Sequence, residues 1–286
     1  MSPTEAGYRV VPFPKARHVY IDSLYLGQRK HTVRGLIEAD VTGARQFIRQ
    51  HKAKTGKTLS FTAFLIAAVG KAVERNKYMH AYRNWRGQLV LFDEVDVTSM
   101  FEIEADGERL PLARIIRAAN KRTCWEIHDE VRSVQAERRR EKSLPYARLL
   151  CLYPLVPAFI RRLAYRVLLK NPHWIKRFIG TVQVTAVGMF GKGGGWAITR
   201  PFYTLAIAVG GIAERTQMVD GRIETREFLS LTLSFDHDIL DGGPAARFTQ
   251  HLKELIESGY GLVEPDTQAE QAPSQTATPG IDVAPV

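Results

Sequence analysis

Ser234-Phe235-Asp236-His237-Asp238-Ile239-Leu240-Asp241-Gly242-Gly243 sets a histidine four residues ahead of an Asp-Gly pair. An imidazole titrates near neutral pH, so a histidine aimed at a substrate can take up a proton and return it as a general base. The spacing alone says little: by composition, one of the eight histidines would meet His-x-x-x-Asp-Gly in roughly 3% of such chains. The flanks say more. Leu229, Leu231, Leu233 and Phe235 alternate with Ser230, Thr232 and Ser234, the period-two pattern of a strand with one buried face. After the motif, Pro244 stands where a first helical residue would be. Ala245, Phe248, Leu252, Leu255 and Ile256 then form an apolar stripe at helical spacing, with Gly259 as a stop. His237 therefore falls on a strand-to-helix connection, where side chains are presented to substrates. Asp241 is placed to brace that connection, and the two glycines let backbone approach closely.

The other chemistry-bearing residues have weaker surroundings. His18, His31, His51, His80, His128, His173 and His251 lack such a context and read as surface or packed residues. Cys124 and Cys151 have no metal or redox spacing and fit a reduced compartment without a nucleophilic role. Around them, the first 30 residues, with Pro3, Pro12 and Pro14, read as irregular. Strands are expected over 31–40, 89–92 and 95–103, with Ala105-Asp106-Gly107 as a turn. Helices are expected over 43–54, from a Thr58 or Ser60 cap to near residue 77, and from about 112 into the 130s.

Beyond the histidine motif, three further segments carry a resemblance. They are Leu59-Ser60-Phe61-Thr62-Ala63-Phe64-Leu65-Ile66-Ala67-Ala68-Val69-Gly70, Gly180-Thr181-Val182-Gln183-Val184-Thr185-Ala186-Val187-Gly188 and Leu205-Ala206-Ile207-Ala208-Val209-Gly210-Gly211-Ile212. With the motif they resemble the catalytic domain of the acyltransferase component of 2-oxoacid dehydrogenase complexes, a relative of chloramphenicol acetyltransferase. The resemblance covers most of 31–136 and 179–260. It implies an α+β, two-layer fold of the chloramphenicol acetyltransferase type, a mixed sheet covered by helices, over residues 1–263.

The resemblance also implies a chemistry: a coenzyme A-dependent acyltransferase moving an acyl group between a thioester and a thiol, hydroxyl or amine acceptor. His237 would be the base and the hydroxyl of Thr185, where the family has serine, would stabilise the oxyanion. Asp241 would hold the loop through a buried ion pair, with Arg17 as a candidate partner. Acyl-CoA enters as substrate in a ternary complex, and no metal is required. The family site lies between subunits, so a homotrimer or a larger trimer-based assembly is expected. Two departures stand out. Asp238 occupies the place of the family arginine, as chloramphenicol acetyltransferase also lacks one there. Nothing resembles a lipoyl or subunit-binding domain, so the chain reads as a free-standing catalytic unit with no lipoyl group of its own. A trimeric scaffold that kept the fold and lost the activity is the rival reading.

A formal charge of +10 asks for an anionic partner. No helix-turn-helix, zinc-finger or RNA-binding signature appears, so nucleic acid is set aside. The phosphates of coenzyme A suit lysine and arginine, although surface charge also serves solubility. No secretory signal and no run of ~20 apolar residues is present, which makes the cytoplasm the expected location. Residues 138–179 read as an insertion. From Ser143 to Arg177 there is no acidic residue, while Arg148, Arg161, Arg162, Arg166, Lys170, Lys176 and Arg177 alternate with leucines and aromatics. Pro154 and Pro157 break its apolar part. Two readings stay open: a basic amphipathic element on an anionic membrane or lining a substrate route, and a lid or oligomer contact whose apolar residues are core. Gly191-Lys192-Gly193-Gly194-Gly195-Trp196 lacks the Walker order and reads as a flexible hairpin. Residues 264–286, rich in Pro, Ala, Gln and Thr, are expected to be disordered.

Overall fold

The alternation that ends at Phe235 belongs to a long strand, β8 (Arg222–Asp236), flanked by β7 (Leu205–Val219) and β1 (Thr32–Asp40). Beyond β7 come β6 (Val182–Ala186), β4 (Val97–Ala105) and β5 (Glu108–Ile116), in the order β1-β8-β7-β6-β4-β5. β6 runs parallel to both β4 and β7 and the other pairings are antiparallel, so the sheet is mixed. A small ribbon of β2 (Tyr82–Arg83) and β3 (Leu89–Val90) stands apart, shorter than the strand expected over 89–92. The computed structural model describes residues 8, 10, 11, 13, 17–105, 108–140, 153–186 and 193–262. The expected turn at 106–107, Cys151, the Gly191-Lys192 part of the glycine cluster and the tail 264–286 lie outside the described residues.

One face of the sheet makes the core. Val97, Val182, Val184, Leu205, Ile207, Leu229, Leu231 and Leu233 are buried there with Phe64, Ile66, Phe248 and Leu252. The helices that supply this layer are α2 (Thr42–Thr55), α3 (Phe61–Arg75), α4 (Cys124–Arg140) and a C-terminal helix (Gly242–Glu257) that becomes α7 below. Ser60 starts α3 by accepting a hydrogen bond from the Ala63 amide at 3.3 Å.

The helix expected from about 112 is a correction. Residues 108–116 form β5, paired with β4, and α4 begins only at Cys124. Pairing with β4 makes the strand, and a local signal sets the later helix start. Thr123 and Glu126 close a capping box: the Glu126 amide donates to the Thr123 hydroxyl at 3.2 Å and the Thr123 amide to the Glu126 carboxylate at 2.7 Å. Upstream, Pro111 has no N–H to give, which an edge strand such as β5 tolerates.

The opposite face of the sheet is met by α1 (Arg17–Gly27) and by two helices of the basic stretch, α5 (Ala158–Leu169) and α6 (Pro172–Phe178). With these, the C-terminal helix is α7. Asn171 caps α6 and Pro172 opens it. Asp22 of α1, fully buried, clamps the stretch in place. It accepts from Arg161 Nε at 2.7 Å, Arg162 Nε at 3.2 Å and the Tyr153 hydroxyl at 2.9 Å. Arg161 and Arg162 therefore turn inward, because a buried carboxylate requires a cationic partner. Phe159, Leu163 and Val167, at helical spacing on α5, are exposed. Among the described residues no helix is long and apolar enough to cross a membrane.

Candidate active site

His237 is the first residue past β8. Its backbone amide donates to the His31 carbonyl at 2.7 Å, which pins the turn to the start of β1. The imidazole is half exposed, with Nδ1 3.9 Å from an Asp241 carboxylate oxygen, an ionic contact too long for a hydrogen bond. Nε2 is left facing outward from that pair. Asp241 is 89% exposed, and His237 is its only ionic partner among the described residues. Within one chain Asp241 is thus not in a buried pair, and Arg17 is not joined to it.

The carboxylate that holds the turn is Asp236, which sequence reasoning missed. It is buried and paired with Lys30, and its other oxygen accepts from the Asp238 amide at 3.3 Å. Its carbonyl accepts from the Ile239 and Leu240 amides at 3.1 and 3.0 Å. Asp236 continues the Ser230, Thr232, Ser234 side of the alternation, which the pattern reads as the exposed one, and only the fold shows that side buried too, where a carboxylate needs a cation. Asp238, in the family's arginine position, accepts from or shares a proton with His31 Nδ1 at 2.8 Å. That hydrogen bond and the charge of Asp238 raise the His31 pKa.

Beside the turn lies a cleft of about 410 Å³ with Lys30, Arg83, Lys170, Trp85 and Asp238 on its walls. Lys30 from before β1, Arg83 of β2, Lys170 at the end of α5 and the exposed indole of Trp85 gather there beside Asp236 and Asp238. No sequence motif announced that convergence.

Thr185 lies elsewhere in the same chain. Phe235, Leu205 and Val182 stand level in the sheet, so Thr185 is three residues to one side of that line and His237 two residues to the other. At about 3.3 Å per residue and about 4.8 Å per strand, they are separated by about 17 Å along the strands and about 10 Å across them. A single chain does not bring the hydroxyl to the imidazole.

The remaining candidates are structural. Burial pushes the Cys124 thiol up to about 12, which leaves it inert. His80 is buried between the Thr181 hydroxyl and the Phe92 carbonyl, both at 3.1 Å, and burial lowers its pKa to about 4. The glycine cluster crosses the bulge of β7: a Cβ on Gly210 would lie 2.0 Å from the Gly195 carbonyl oxygen, and one on Gly211 2.1 Å from that of Gly193. These glycines are needed for backbone contact. Among the described residues no group of three or more His, Cys, Asp or Glu could hold a metal ion.

The model of the 2-oxoacid dehydrogenases acyltransferase catalytic domain matches residues 5–147 and 178–263. The chain belongs to this family. The acetyltransferase component of the Bacillus subtilis pyruvate dehydrogenase complex is 26% identical over 238 residues, 79% of this chain and 46% of that protein. The mitochondrial succinyltransferase component of the Saccharomyces cerevisiae 2-oxoglutarate dehydrogenase complex is 37% identical over 78 residues, 27% of this chain and 17% of that one. The chain thus spans less than half the length of these curated relatives. A probable dihydrolipoamide acetyltransferase from Listeria monocytogenes has a similar structure, with a TM-score of 0.66, 21% identity, and coverage of 88% of this chain and 96% of that chain. A dihydrolipoamide acetyltransferase from Azotobacter vinelandii, studied for the roles of a serine, a histidine and an asparagine in its catalytic mechanism, also has a TM-score of 0.66. Its identity is 17%, with coverage of 91% and 96%. Both likenesses confirm the fold. The family match stops at 147 and resumes at 178, so α5 and most of α6 lie in a stretch that the acyltransferase model does not cover.

Proposed function

We propose that this acyltransferase moves an acyl group between a coenzyme A thioester and a thiol, hydroxyl or amine acceptor, with His237 as general base. The observation that carries the reading is the presentation of His237: a half-exposed imidazole on a turn fixed by the Asp236–Lys30 pair and the His31 carbonyl. The histidine and asparagine of the Azotobacter enzyme are four residues apart, the spacing of His237 and Asp241. In the cleft beside the turn, Arg83, Lys170 and Trp85, next to the Lys30–Asp236 pair and Asp238, offer charge for a diphosphate and a ring for an adenine to stack on.

In this reading Nε2 of His237 takes the proton of the acceptor as its oxygen, nitrogen or sulfur bonds to the thioester carbon. The resulting oxyanion accepts a hydrogen bond from the Thr185 hydroxyl of a neighbouring copy, since the same chain holds that hydroxyl too far away. Collapse breaks the carbon–sulfur bond, and the imidazolium returns its proton to the departing coenzyme A thiolate. The assembly is trimer-based, with one site at each interface.

The test is thiol release from a panel of acyl-CoAs, with and without dihydrolipoamide and small hydroxyl or amine acceptors. Acceptor-dependent release is expected, lowered about 10²–10⁴-fold in His237→Ala with folding intact, as for a lost general base. Undiminished turnover by that variant would overturn His237 as the base, and no release from any donor would return the protein to the scaffold reading.

A further inference from the structure

A cavity of about 660 Å³ lies between the sheet and the helices on its second face. Thr98 and Met100 of β4, Ile115 of β5 and Gln183 of β6 contribute to one wall, and Tyr165 of α5 and Phe178 of α6 to the other. Tyr165 comes from the stretch that the family model does not cover. The volume is that of a small-molecule site.

Arg114, Arg117 and Glu130 also line the cavity, but their charges are already paired, Arg117 with Asp96 at 2.7 Å and Arg114 with Glu130 at 3.5 Å. The Tyr203 hydroxyl donates to the Ile179 carbonyl at 3.2 Å, and the Thr98 hydroxyl donates to the same carbonyl. Tyr165 is hydrogen-bonded to Tyr153. Burial pushes Tyr203 up to about 12 and raises Tyr20 and Tyr165, so these phenols stay neutral. Between these paired groups, Val19, Met100, Ile115, Phe178 and Phe202 supply the apolar surface that would meet a ligand.

The cavity also has a direction. Thr98 is level with Gln183 and Ser99 with Val184, so the next step along β4 sets Met100 beside Thr185. Side chains alternate along a strand, so Thr185 shares the face of Gln183, about 7 Å further along. Two of the cavity's lining residues therefore flank the hydroxyl assigned to the oxyanion.

Building on the acyltransferase reading, we infer that this cavity holds the hydrocarbon body of a medium-length acyl chain, with its carbonyl carbon at Thr185. The enzyme then acts on hydrophobic acyl groups in preference to acetyl, and the inserted helices set that preference. Calorimetric titration of the full chain with S-octyl-coenzyme A, S-ethyl-coenzyme A and free octanoate tests this, since none of the three can be transferred. The octyl thioether should bind at least about tenfold more tightly than the ethyl one, from the added apolar burial. Ala113→Trp on β5 and Ser23→Phe on α1 fill the cavity from different walls, and each should bring that ratio near one while retaining the circular dichroism of the parent. Equal affinities in the parent, or a ratio that survives in both folded variants, would overturn the cavity assignment and leave the coenzyme A reading standing. Octanoate binding that both variants abolish, with neither thioether bound, would support the cavity and overturn the coenzyme A reading. No binding by any of the three would overturn both.

Discussion

Thr185 carries its hydroxyl on a β-branched carbon, so its rotamers are fewer than those of the serine in the family segment. If the hydroxyl donates to the oxyanion, Thr185→Ser should keep activity and Thr185→Val, nearly the same in shape, should lower kcat about 10²-fold or more with KM little changed. Steady-state kinetics on the two variants decides it, and a fully active valine enzyme would make Thr185 a plain strand residue. His80 gives a residue-scale prediction on stability instead. Burial lowers its pKa from 6.5 to about 4, so the unfolded chain takes up a proton in a range where the folded chain does not. Stability should then be unaffected by His80 above about pH 6.5 and fall as pH drops from there towards 4, by about 3 kcal/mol across the window. Urea titrations of wild type and His80→Gln at several pH values check it: the difference between them should shrink or reverse as pH falls.

Among the elements, α5 is tied to α1 by one buried carboxylate, whereas α6 is tied separately through Lys176 to Asp96 at 3.2 Å and Glu94 at 3.1 Å. Burial opposes the charge of Asp22, but hydrogen bonds from Arg161, Tyr153 and Arg162 outweigh it, and its pKa lies below the ordinary value. Asp22→Ala would leave Arg161 buried without its counter-charge. The expected outcome is a loss of about 3–5 kcal/mol, or local release of 153–170 if that stretch opens before the core does. Limited proteolysis distinguishes the two, since local release gives early cleavage near Arg161 and Arg166 with the remaining core intact. Equal protease resistance and equal Tm would show that the clamp contributes nothing. Replacing Arg161 and Arg162 is therefore a test of this packing; any lipid-facing role on α5 would fall to the exposed Phe159, Leu163 and Val167.

For the whole molecule, the separation of Thr185 from His237 ties activity to assembly. Only residues 205–209 of β7 pair with β6, and only residues 228–236 of β8 pair with β1. The rest of that hairpin leaves the sheet as a two-stranded arm ending in the exposed Met218 and Ile223. A largely polar arm with an apolar tip of this kind is suited to reach a second copy. We expect a trimer in sedimentation, and a shift towards monomer, with loss of activity in proportion, in the Met218→Asp, Ile223→Asp double variant. An active monomer at assay concentration would contradict the shared site.

Much of this molecule is written in local pattern. The alternation through Phe235 and the stripe from Ala245 to Ile256 fixed His237 on a strand-to-helix turn, because periods of two and of 3.6 each bury one face. Ser60 marked the start of α3 for an equally local reason. The helix wrongly expected from 112 shows the limit: Leu112, Ile115 and Ile116 fit either period, and pairing with β4 decided for the strand. The Thr123–Glu126 box was legible there and marks the true helix start. What tertiary structure alone decided are the long-range partnerships: Lys30 with Asp236, Asp22 with Arg161, and Met100 brought beside Thr185. Each joins residues far apart in sequence whose pairing is set by strand order and burial, and one-dimensional spacing carries no record of either.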